Sequence, residues 1–401
     1  MADVTSEFLT EGIDPDELAS VVMFYYGRGT QSSPEIFDYS RDDTSFALRL
    51  VYDDVRLVQI LTGQNFSEHD RASLKLRIAS ELLSSTQPHI KRQIFFSRAP
   101  VKSFFRAHPH FQIIPVPPDA PKPPFNMSIL VRHPFIVEFA VRPSPNPIIN
   151  TNRSARLASN LMVLLNAVFD NPIYAISNTY RAFWVRFENE EKLDTVSKLG
   201  LEAYGFESFT LTGDEFSTTA HLQPMHSVER SVYYNRFFDL SRPMQAPDNL
   251  DHLIQRFYSL PTSDKEKFLI AAFWLHQATV TENNSVKFLS LIYAIDTLVP
   301  NESGGEPCRE CNRPKRTSET DKFLQFLNRI VPEQSEDTNQ VRAARRKLLR
   351  LRGDLAHGRD LLASDRDARK WAFNAEGARE ESILEGTSLL AKRAIVNWLS
   401  G

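Results

Sequence analysis

The stretch Val341-Arg-Ala-Ala-Arg-Arg-Lys-Leu-Leu-Arg-Leu-Arg-Gly-Asp-Leu-Ala-His-Gly358 has the pattern that decides the fold of the C-terminal part of the chain. Its apolar side chains recur every three or four residues: Val341, Ala344, Leu348, Leu351 and Leu355. Arginine and lysine fill most of the other positions, and Gly358 is a residue that suits the end of a helix. The stretch therefore predicts a basic amphipathic helix whose apolar seam faces a core or a partner chain.

The end of this helix carries a cation, a carboxylate and an imidazole within six residues, namely Arg352, Asp354 and His357. Arginine is always ionised and forks onto phosphate oxygens, while histidine titrates near neutrality and can accept or donate a proton. In an unbroken helix Arg352 and His357 lie about 140° apart, so they do not share one face. Either His357 swings towards Arg352 where the helix ends at Gly358, or two copies of the chain bring these groups together across a two-fold axis.

These side chains suit the cleavage of RNA, which carries its own nucleophile in the 2′-hydroxyl beside each phosphate. The reaction needs a base, an acid for the leaving 5′-oxygen and positive charge on the phosphorane. His357 from each of two chains can serve as base and acid, with Arg352 on the phosphate and Asp354 orienting a neighbour or pairing with an arginine. The surrounding basic face is predicted to bind the RNA backbone through Arg345, Arg346, Arg350 and Arg359.

From about residue 246 the apolar side chains follow the helical period, which predicts an all-α region. Ser263-Asp-Lys-Glu266 matches a capping box at the start of one helix, and the next helix is expected over about 284–298. A short helix around Phe323 and a last helix over about 376–399 complete the set.

Residues 1 to about 245 mix strand and helix patterns. Alternating apolar residues predict strands around 46–52, 135–141 and 183–187. Ser67 can cap one helix, and another carries apolar residues from Leu157 to Val168. The predicted fold class is therefore α+β, with an N-terminal α+β domain at 1–245 and an all-α helical bundle at 246–401. The N-terminal domain contains no catalytic motif, and a sensing or regulatory role is expected for it.

Composition restricts the class of protein. The chain has 401 residues, long enough for two domains, and its net charge of −3 excludes a molecule that binds nucleic acid through its overall charge, so any basic surface must be local. Two cysteines exclude a disulfide framework and favour a reducing cytoplasm. The N-terminus is acidic and polar, unlike a secretory signal, and no apolar run is long enough to span a bilayer. A cytoplasmic protein without a membrane partner is expected.

The two cysteines form the motif Cys308-Arg-Glu-Cys311 in a polar loop between predicted helices. Such a motif supplies two zinc ligands, whereas a structural zinc site needs four. Histidines or a second subunit would have to provide the others. A structural zinc ion and plain loop residues both remain open as interpretations, while a redox role fits this polar loop poorly.

Residues from about 260 to 399 resemble the HEPN superfamily and, within it, the Apea-like branch. The resemblance rests on three segments in the family's order: Phe288-Leu-Ser-Leu-Ile-Tyr-Ala-Ile-Asp-Thr-Leu298, Phe323-Leu-Gln-Phe-Leu327 and Leu349-Arg-Leu-Arg-Gly-Asp-Leu-Ala-His-Gly358. An arginine five residues before a histidine arises by chance about once in a chain of this size. Three segments in the right order are much more specific than that spacing alone.

The resemblance implies a dimeric, metal-independent endoribonuclease that requires no cofactor, of the kind found in toxin–antitoxin and antiviral (antiphage) defence. By that likeness Arg352 and His357 match the active pair, and Asp296 replaces a glutamate often found on the second helix, as a supporting residue. The implied partners are RNA and a second copy of the chain, together with a regulatory protein or a phage-derived trigger.

Two other interpretations stay open. Some members of the superfamily only bind nucleotides or proteins, and Gly353 and Asp296 depart from the family pattern, so a non-catalytic binding or assembly module is the main alternative. In a third interpretation the region is a structural bundle beside a binding domain, and the motif lies far from any dimer axis. The position of His357 relative to a two-fold interface separates the three.

Overall fold

The computed structural model describes residues 1–10, 12–27, 29–40, 46–53, 56–83, 87–120, 133–175, 209–235, 242–300, 318–332, 338–366 and 375–401. These residues form helices and antiparallel sheets, so the predicted α+β class is confirmed. The chain divides into two compact units that are interleaved along the sequence. The first comprises Met1–Lys91, Phe139–Ala158 and Thr212–Phe216, and the second comprises Arg92–Glu138, Ser159–Leu211 and Ser217–Gly401.

The first unit contains a five-stranded antiparallel sheet. Its strands are β1 (Ala2–Asp3), β2 (Thr30–Ser33), β3 (Ile36–Tyr39), β4 (Leu48–Asp53) and β5 (Arg56–Thr62), in the order β1-β5-β4-β3-β2. Within the β4–β5 pair, Leu48 lies opposite Thr62 and Leu50 opposite Ile60. Both leucines are fully buried, because successive side chains of a strand point to opposite faces and these two share the core face.

The helices of the first unit begin with α1 (Thr5–Phe8), α2 (Pro15–Tyr26) and α3 (Glu68–Ile78), and a π-helical turn over Ala79–Leu83 continues α3. The helix predicted after Ser67 is confirmed. The Ser67 hydroxyl accepts a hydrogen bond from the Asp70 backbone N–H, and the Asp70 carboxylate accepts one from the Ser67 backbone N–H. Leu74 and Ile78, one turn apart on α3, are both buried.

Six strands form a second sheet: β6 (His89–Ser97), β7 (Phe105–Ala107), β8 (Phe111–Pro115), β9 (His133–Val141), β10 (Ile173–Ala175) and β11 (Thr212–Gly213). The order is β10-β6-β9-β8-β7, and β11 also pairs with β6. The predicted strand over 135–141 is confirmed as β9. Its residues 135–139 are buried without alternation, because β9 lies between β6 and β8 in the interior of the sheet. The strand predicted over 183–187 lies outside the described residues.

The predicted helix from Leu157 to Val168 is part of α4 (Pro147–Val168). A short parallel pair, β12 (Ser227–Val228) with β13 (Ala246–Pro247), flanks α5 (Arg230–Tyr233).

The C-terminal region is helical, as predicted. It consists of α6 (Leu250–Ser259), α7 (Thr262–Val280), α8 (Asn284–Asp296), α9 (Glu319–Ile330), α10 (Thr338–Ala356), α11 (Ala363–Arg366) and α12 (Ala375–Ser400). The core contains Phe268 of α7, Phe288 of α8, Phe323 of α9 and Ile395 of α12, all nearly or fully buried. Because α12 packs against α6, α7 and α8, and α10 packs against α8 and α9, helix α8 lies at the centre of this region.

One predicted helix start was wrong. Helix α7 begins at Thr262, after Pro261, and no side chain caps it. The capping box expected at Ser263 does not form because Ser263 is already inside the first turn. By contrast, Asn283 and Ser318 cap α8 and α9 through their side chains.

The division into units does not coincide with the predicted boundary near residue 245. The Tyr233 hydroxyl accepts a hydrogen bond from the Asp170 backbone N–H at 2.9 Å. The Lys392 ammonium of α12 donates to the Phe169 backbone carbonyl. All four residues belong to the second unit, so chain segments from both sides of position 245 share its interior.

Among the described residues, none of the helices has the length and apolar character needed to cross a membrane.

Candidate functional site

The predicted basic helix is α10, and its apolar seam is largely as expected. Leu355 is buried, while Leu348 and Leu351 are half-buried. Ala344 is exposed, contrary to the prediction. The seam is therefore concentrated in the second half of the helix, which carries Arg352 and His357.

Arg345 occupies the buried side of α10, with 3% of its surface exposed. Its guanidinium donates a hydrogen bond to Asn328 Oδ1 at 2.5 Å and another to the Val331 backbone carbonyl at 2.7 Å. These acceptors lie at the C-terminal end of α9, where a cation is also favoured by the helix dipole. The prediction that Arg345 contributes to an exposed RNA-binding face was wrong, because hydrogen bonds satisfy its charge inside the unit.

The other predicted RNA-binding arginines, Arg346, Arg350 and Arg359, are exposed. Arg342 and Lys347 are exposed as well. Since residues four apart are neighbours on a helix surface, Arg342, Arg346 and Arg350 form a continuous stripe. This stripe, here called the basic stripe, presents three permanent cations to solvent along α10.

The C-terminal end of α10 forms a glycine cap of the Schellman type. The Gly358 N–H donates to the Leu355 carbonyl at 3.1 Å, and the Arg359 N–H donates to the Asp354 carbonyl at 2.9 Å. Gly358 has φ +62°, the left-handed conformation that glycine adopts without strain. The predicted role of Gly358 as the residue after the helix end is thus confirmed.

His357 remains within the hydrogen-bond pattern of the helix, because its N–H donates to the Gly353 carbonyl at 3.2 Å. Its side chain therefore leaves α10 at an angle fixed by helical geometry. Seven residues advance a helix by almost two turns, so His357 lies within about 20° of Arg350 and follows the basic stripe. His357 is exposed, and so is Asp354.

Arg352 points to a different side of α10, towards the last residue of α8. Its guanidinium contacts Asp296 Oδ2 at 2.8 Å, and about a third of each side chain is exposed (33% and 36%). Burial raises the pKa of Asp296, Arg352 opposes that rise, and Glu319 adds to it. Glu319 is the first residue of α9 and lies 23 residues after Asp296, so no local pattern indicates its influence on this carboxyl.

The structure thus brings together two of the predicted site residues, Arg352 and Asp296, and separates them from His357. Arg352 lies on the side of α10 that packs against α8, about 140° around the helix from His357. Because the helix continues through Ala356, the backbone does not turn His357 towards Arg352 within one chain. The pairing of these groups across two chains stays a prediction.

Cys308 and Cys311, the possible zinc ligands, lie outside the described residues. Within the described part of the chain, histidine, cysteine and acidic side chains form no group of three or more suited to a metal ion.

Comparison of the chain with protein-family models, curated proteins and solved structures finds no match.

Proposed function

We propose that this protein is a metal-independent endoribonuclease of the HEPN type, in which two copies of the chain form a composite site from Arg352 and His357. The observation that supports this function best is the position of His357. It stands exposed at the end of the basic stripe, on the same side of α10 as Arg346 and Arg350. A polyanion bound along the stripe would therefore lie against an imidazole able to move protons.

The reaction is an attack of the RNA 2′-oxygen on the adjacent phosphorus. His357 of one chain takes the 2′-hydroxyl proton, and the bond from phosphorus to the 5′-oxygen breaks. His357 of the second chain gives a proton to that oxygen. The products are a 2′,3′-cyclic phosphate and a 5′-hydroxyl, so atoms and protons balance without an added reagent.

Arg352 supplies positive charge to the phosphorane. Solvent-exposed ion pairs such as Arg352–Asp296 are weak. The guanidinium can therefore give up part of its contact with the carboxylate and bind phosphate oxygens instead. In this scheme Asp296 holds Arg352 in position before RNA arrives. Asp354 is exposed beside the site. There it orients a neighbouring side chain or pairs with an arginine of the facing chain.

The requirement for two chains follows from the 140° separation of Arg352 and His357. In an isologous dimer each chain presents the same surface, so Arg352 of one copy can face His357 of the other. Analytical ultracentrifugation of the purified protein tests this directly. A protein that stays monomeric while it cleaves RNA would contradict the composite site.

The catalytic test is incubation of the purified chain with RNA in excess EDTA, with chain ends identified by mass spectrometry. We expect cyclic phosphate ends from the wild type and at least a hundredfold loss of rate in His357→Ala and in Arg352→Ala. His252→Ala and Arg256→Ala provide matched controls, since both residues are exposed on α6 of the same unit. Equal cleavage by all five proteins would rule out the proposed site.

We place the reaction in the cytoplasm, in a defence or toxin setting, with the N-terminal region as regulator of the helical region. A regulatory protein or a phage-derived trigger would act through that region. Expression in bacteria tests this setting. We expect the wild type to arrest growth and His357→Ala to relieve the arrest. Growth arrest by His357→Ala would show that toxicity does not depend on the proposed site.

A second function, a non-catalytic HEPN module that binds a nucleotide or a protein, is favoured by one specific contact. Asp296 already occupies Arg352 at 2.8 Å and offsets its charge. In that case the chain binds its ligand with equal affinity before and after His357→Ala, and no cyclic phosphate ends form at any protein concentration.

A further inference from the structure

Four polar side chains of the second unit, outside α10, come from separate elements of the fold. Arg98 directly follows β6, Tyr174 lies in β10, His276 lies in α7 and Lys287 lies in α8. Three of their atoms are buried without a hydrogen-bond partner among the described residues: the Tyr174 hydroxyl, His276 Nδ1 and Arg98 Nε. Buried polar groups nearly always have partners, so three such atoms call for an explanation.

Strand register places Arg98 beside Tyr174. Tyr174 lies opposite Phe96 in the antiparallel pair of β10 and β6. Arg98 lies in the bend that directly follows β6, two residues after Phe96, so its backbone is close to Tyr174. Diagonal neighbours of this kind are within reach of long side chains. The guanidinium also opposes the rise that burial causes in the pKa of Tyr174, through its charge and through a side-chain interaction with the hydroxyl that leaves the O–H free to donate.

His276 lies next to the same tyrosine. The two ring centroids are 6.3 Å apart with the planes inclined by 55°, and each residue is only 6% exposed. Burial lowers the pKa of His276 to about 4, so its imidazole is neutral at pH 7. A neutral imidazole carries one N–H donor and one acceptor, and either nitrogen can carry the proton.

Lys287 brings a second cation to this group. It is half-buried on α8, and its pKa is lowered first by burial and then by the charge of Arg98. Two carboxylates of α12, Glu381 and Glu385, act in the opposite direction, and both are exposed. Neither Arg98 nor Lys287 forms an ion pair with another described residue, so the two cations that repel each other have no carboxylate in direct contact.

We propose that Arg98, Tyr174, His276 and Lys287 form a binding site for a phosphate group, supplied either as inorganic phosphate or by a nucleotide. A dianion would offset the repulsion between the two cations, and its oxygens would accept hydrogen bonds from Arg98 Nε–H and the Tyr174 hydroxyl. His276 can donate a third through its N–H. The site contains no residue of α10, so its presence or absence is independent of the proposed ribonuclease activity.

Isothermal titration calorimetry of the full chain tests the site, with inorganic phosphate in one arm and AMP in the other at constant ionic strength. We expect Tyr174→Phe and Lys287→Gln each to weaken binding about tenfold, the effect of one hydrogen bond to a charged group. Tyr293→Phe and Lys267→Gln, on α8 and α7, are the matched controls and should stay within about twofold of the wild type. Tighter binding of AMP identifies a nucleotide as the source, and tighter binding of phosphate identifies the free ion.

Thermal unfolding without ligand separates binding from folding. Tyr174→Phe removes one buried hydroxyl, whose neighbouring charged group is Arg98, so its melting temperature without ligand should stay within a few degrees of the wild type. The rise in melting temperature caused by phosphate should be smaller in this variant than in the wild type. Equal affinity of Tyr174→Phe and wild type, or no heat of binding in either arm, would overturn the proposal.

Discussion

The Arg153–Glu17 pair of the first unit and the Arg352–Asp296 pair of the second contain the same groups in different surroundings. The Arg153 and Glu17 side chains are each 9% exposed, and Arg153 contacts Glu17 through two nitrogens at 2.9 and 2.6 Å. It also donates to the Arg142 backbone carbonyl at 3.1 Å. Arg352, one-third exposed, contacts Asp296 through one nitrogen.

The difference indicates which arginine is available to a ligand. The Arg153 guanidinium already donates its hydrogen bonds to acceptors within the first unit. Without Arg153, the Glu17 carboxylate would stay buried with fewer hydrogen-bond donors around it. Arg352 keeps donors and surface free for an anion from solvent. The second unit repeats the contrast along α10, where Arg345 is buried and Arg346 is exposed.

The largest effect on stability is expected for Arg153→Ala. Loss of one partner of a buried pair costs about 4 kcal/mol, because the remaining charge stays desolvated. Urea denaturation measures the change, and amide hydrogen exchange in β4 and β5 assigns it to the first unit. Arg156→Ala is the matched control: Arg156 also contacts Glu17, at 2.8 Å, but is 41% exposed, and its loss should cost about 1 kcal/mol or less. Equal costs for the two variants would remove burial as the basis of the comparison.

A second large effect is expected on the pH dependence of stability through His276. Burial lowers its pKa from about 6.5 to about 4, so protonation favours the unfolded chain. The contribution of the neutral His276 imidazole to the free energy of unfolding is fully present above pH 6.5 and is lost as the pH falls from there towards 4. The total loss is about 3 kcal/mol.

His276→Gln should remove this part of the acid sensitivity. The measurement is the free energy of unfolding as a function of pH. The slope between about pH 6.5 and pH 4 is compared between the variant and the wild type, so a pH-independent change in stability does not affect the result. His252→Gln, at an exposed position on α6, controls for the loss of a histidine. A slope in His276→Gln as steep as that of the wild type would show that another group is responsible.

The next effect in size concerns the two neighbouring arginines of α10. Arg345→Met removes hydrogen bonds to Asn328 and to the Val331 carbonyl and should cost about 2 kcal/mol. Arg346→Met should change the free energy of unfolding by less than about 0.5 kcal/mol but weaken RNA binding, since its charge faces solvent. Urea denaturation and filter binding at two salt concentrations test both. The reverse pattern would place Arg346 in the core and Arg345 on the RNA-binding face.

Arg345 also shows what the sequence can and cannot predict. Arg345 comes four residues after Val341 and three before Leu348, but its charge led to its assignment to the exposed basic face rather than to the apolar seam. The acceptors that decide its position come from α9, and no spacing within α10 reveals them. By contrast, the cap at Ser67, the helices α8, α9 and α12, and the left-handed Gly358 depend on local sequence and were predicted correctly.

For the candidate site too, the features that depend on one helix were predictable from the sequence, and those that depend on tertiary contacts were not. Arg352 and His357 are local to one helix, and their angular separation follows from counting residues. The contact between Arg352 and Asp296 joins positions 56 residues apart and was not predicted, although the family resemblance implied Asp296 as a supporting residue. The group around Tyr174 comes from four elements with no common motif, because tertiary packing alone brings those residues together.

A small effect on stability is expected at the Arg352–Asp296 pair itself. Arg352→Ala should change the free energy of unfolding by about 1 kcal/mol or less, as for other solvent-accessible ion pairs. It should also raise the pKa of Asp296 further, because Arg352 is the group that lowers it. Carboxylate titration followed by NMR measures this shift. An unchanged pKa would mean that the contact is absent in solution.

Asp296→Asn tests the same pair from the other side. The pKa of Asp296 is raised above its ordinary value of 3.8, so the folded state favours the protonated carboxyl. The stabilisation from Asp296 is therefore present below pH 3.8 and is lost as the pH rises through the raised pKa. Relative to the wild type, Asp296→Asn should gain stability between about pH 4 and pH 7, while Asp251→Asn, at an exposed position on α6, controls for the loss of a carboxylate. The same variant should bind RNA at least as tightly, because the Arg352 guanidinium no longer has a competing anion, but it should cleave RNA more slowly, because the carboxylate no longer holds Arg352 in position. Unchanged cleavage by Asp296→Asn would show that the carboxylate does not position Arg352.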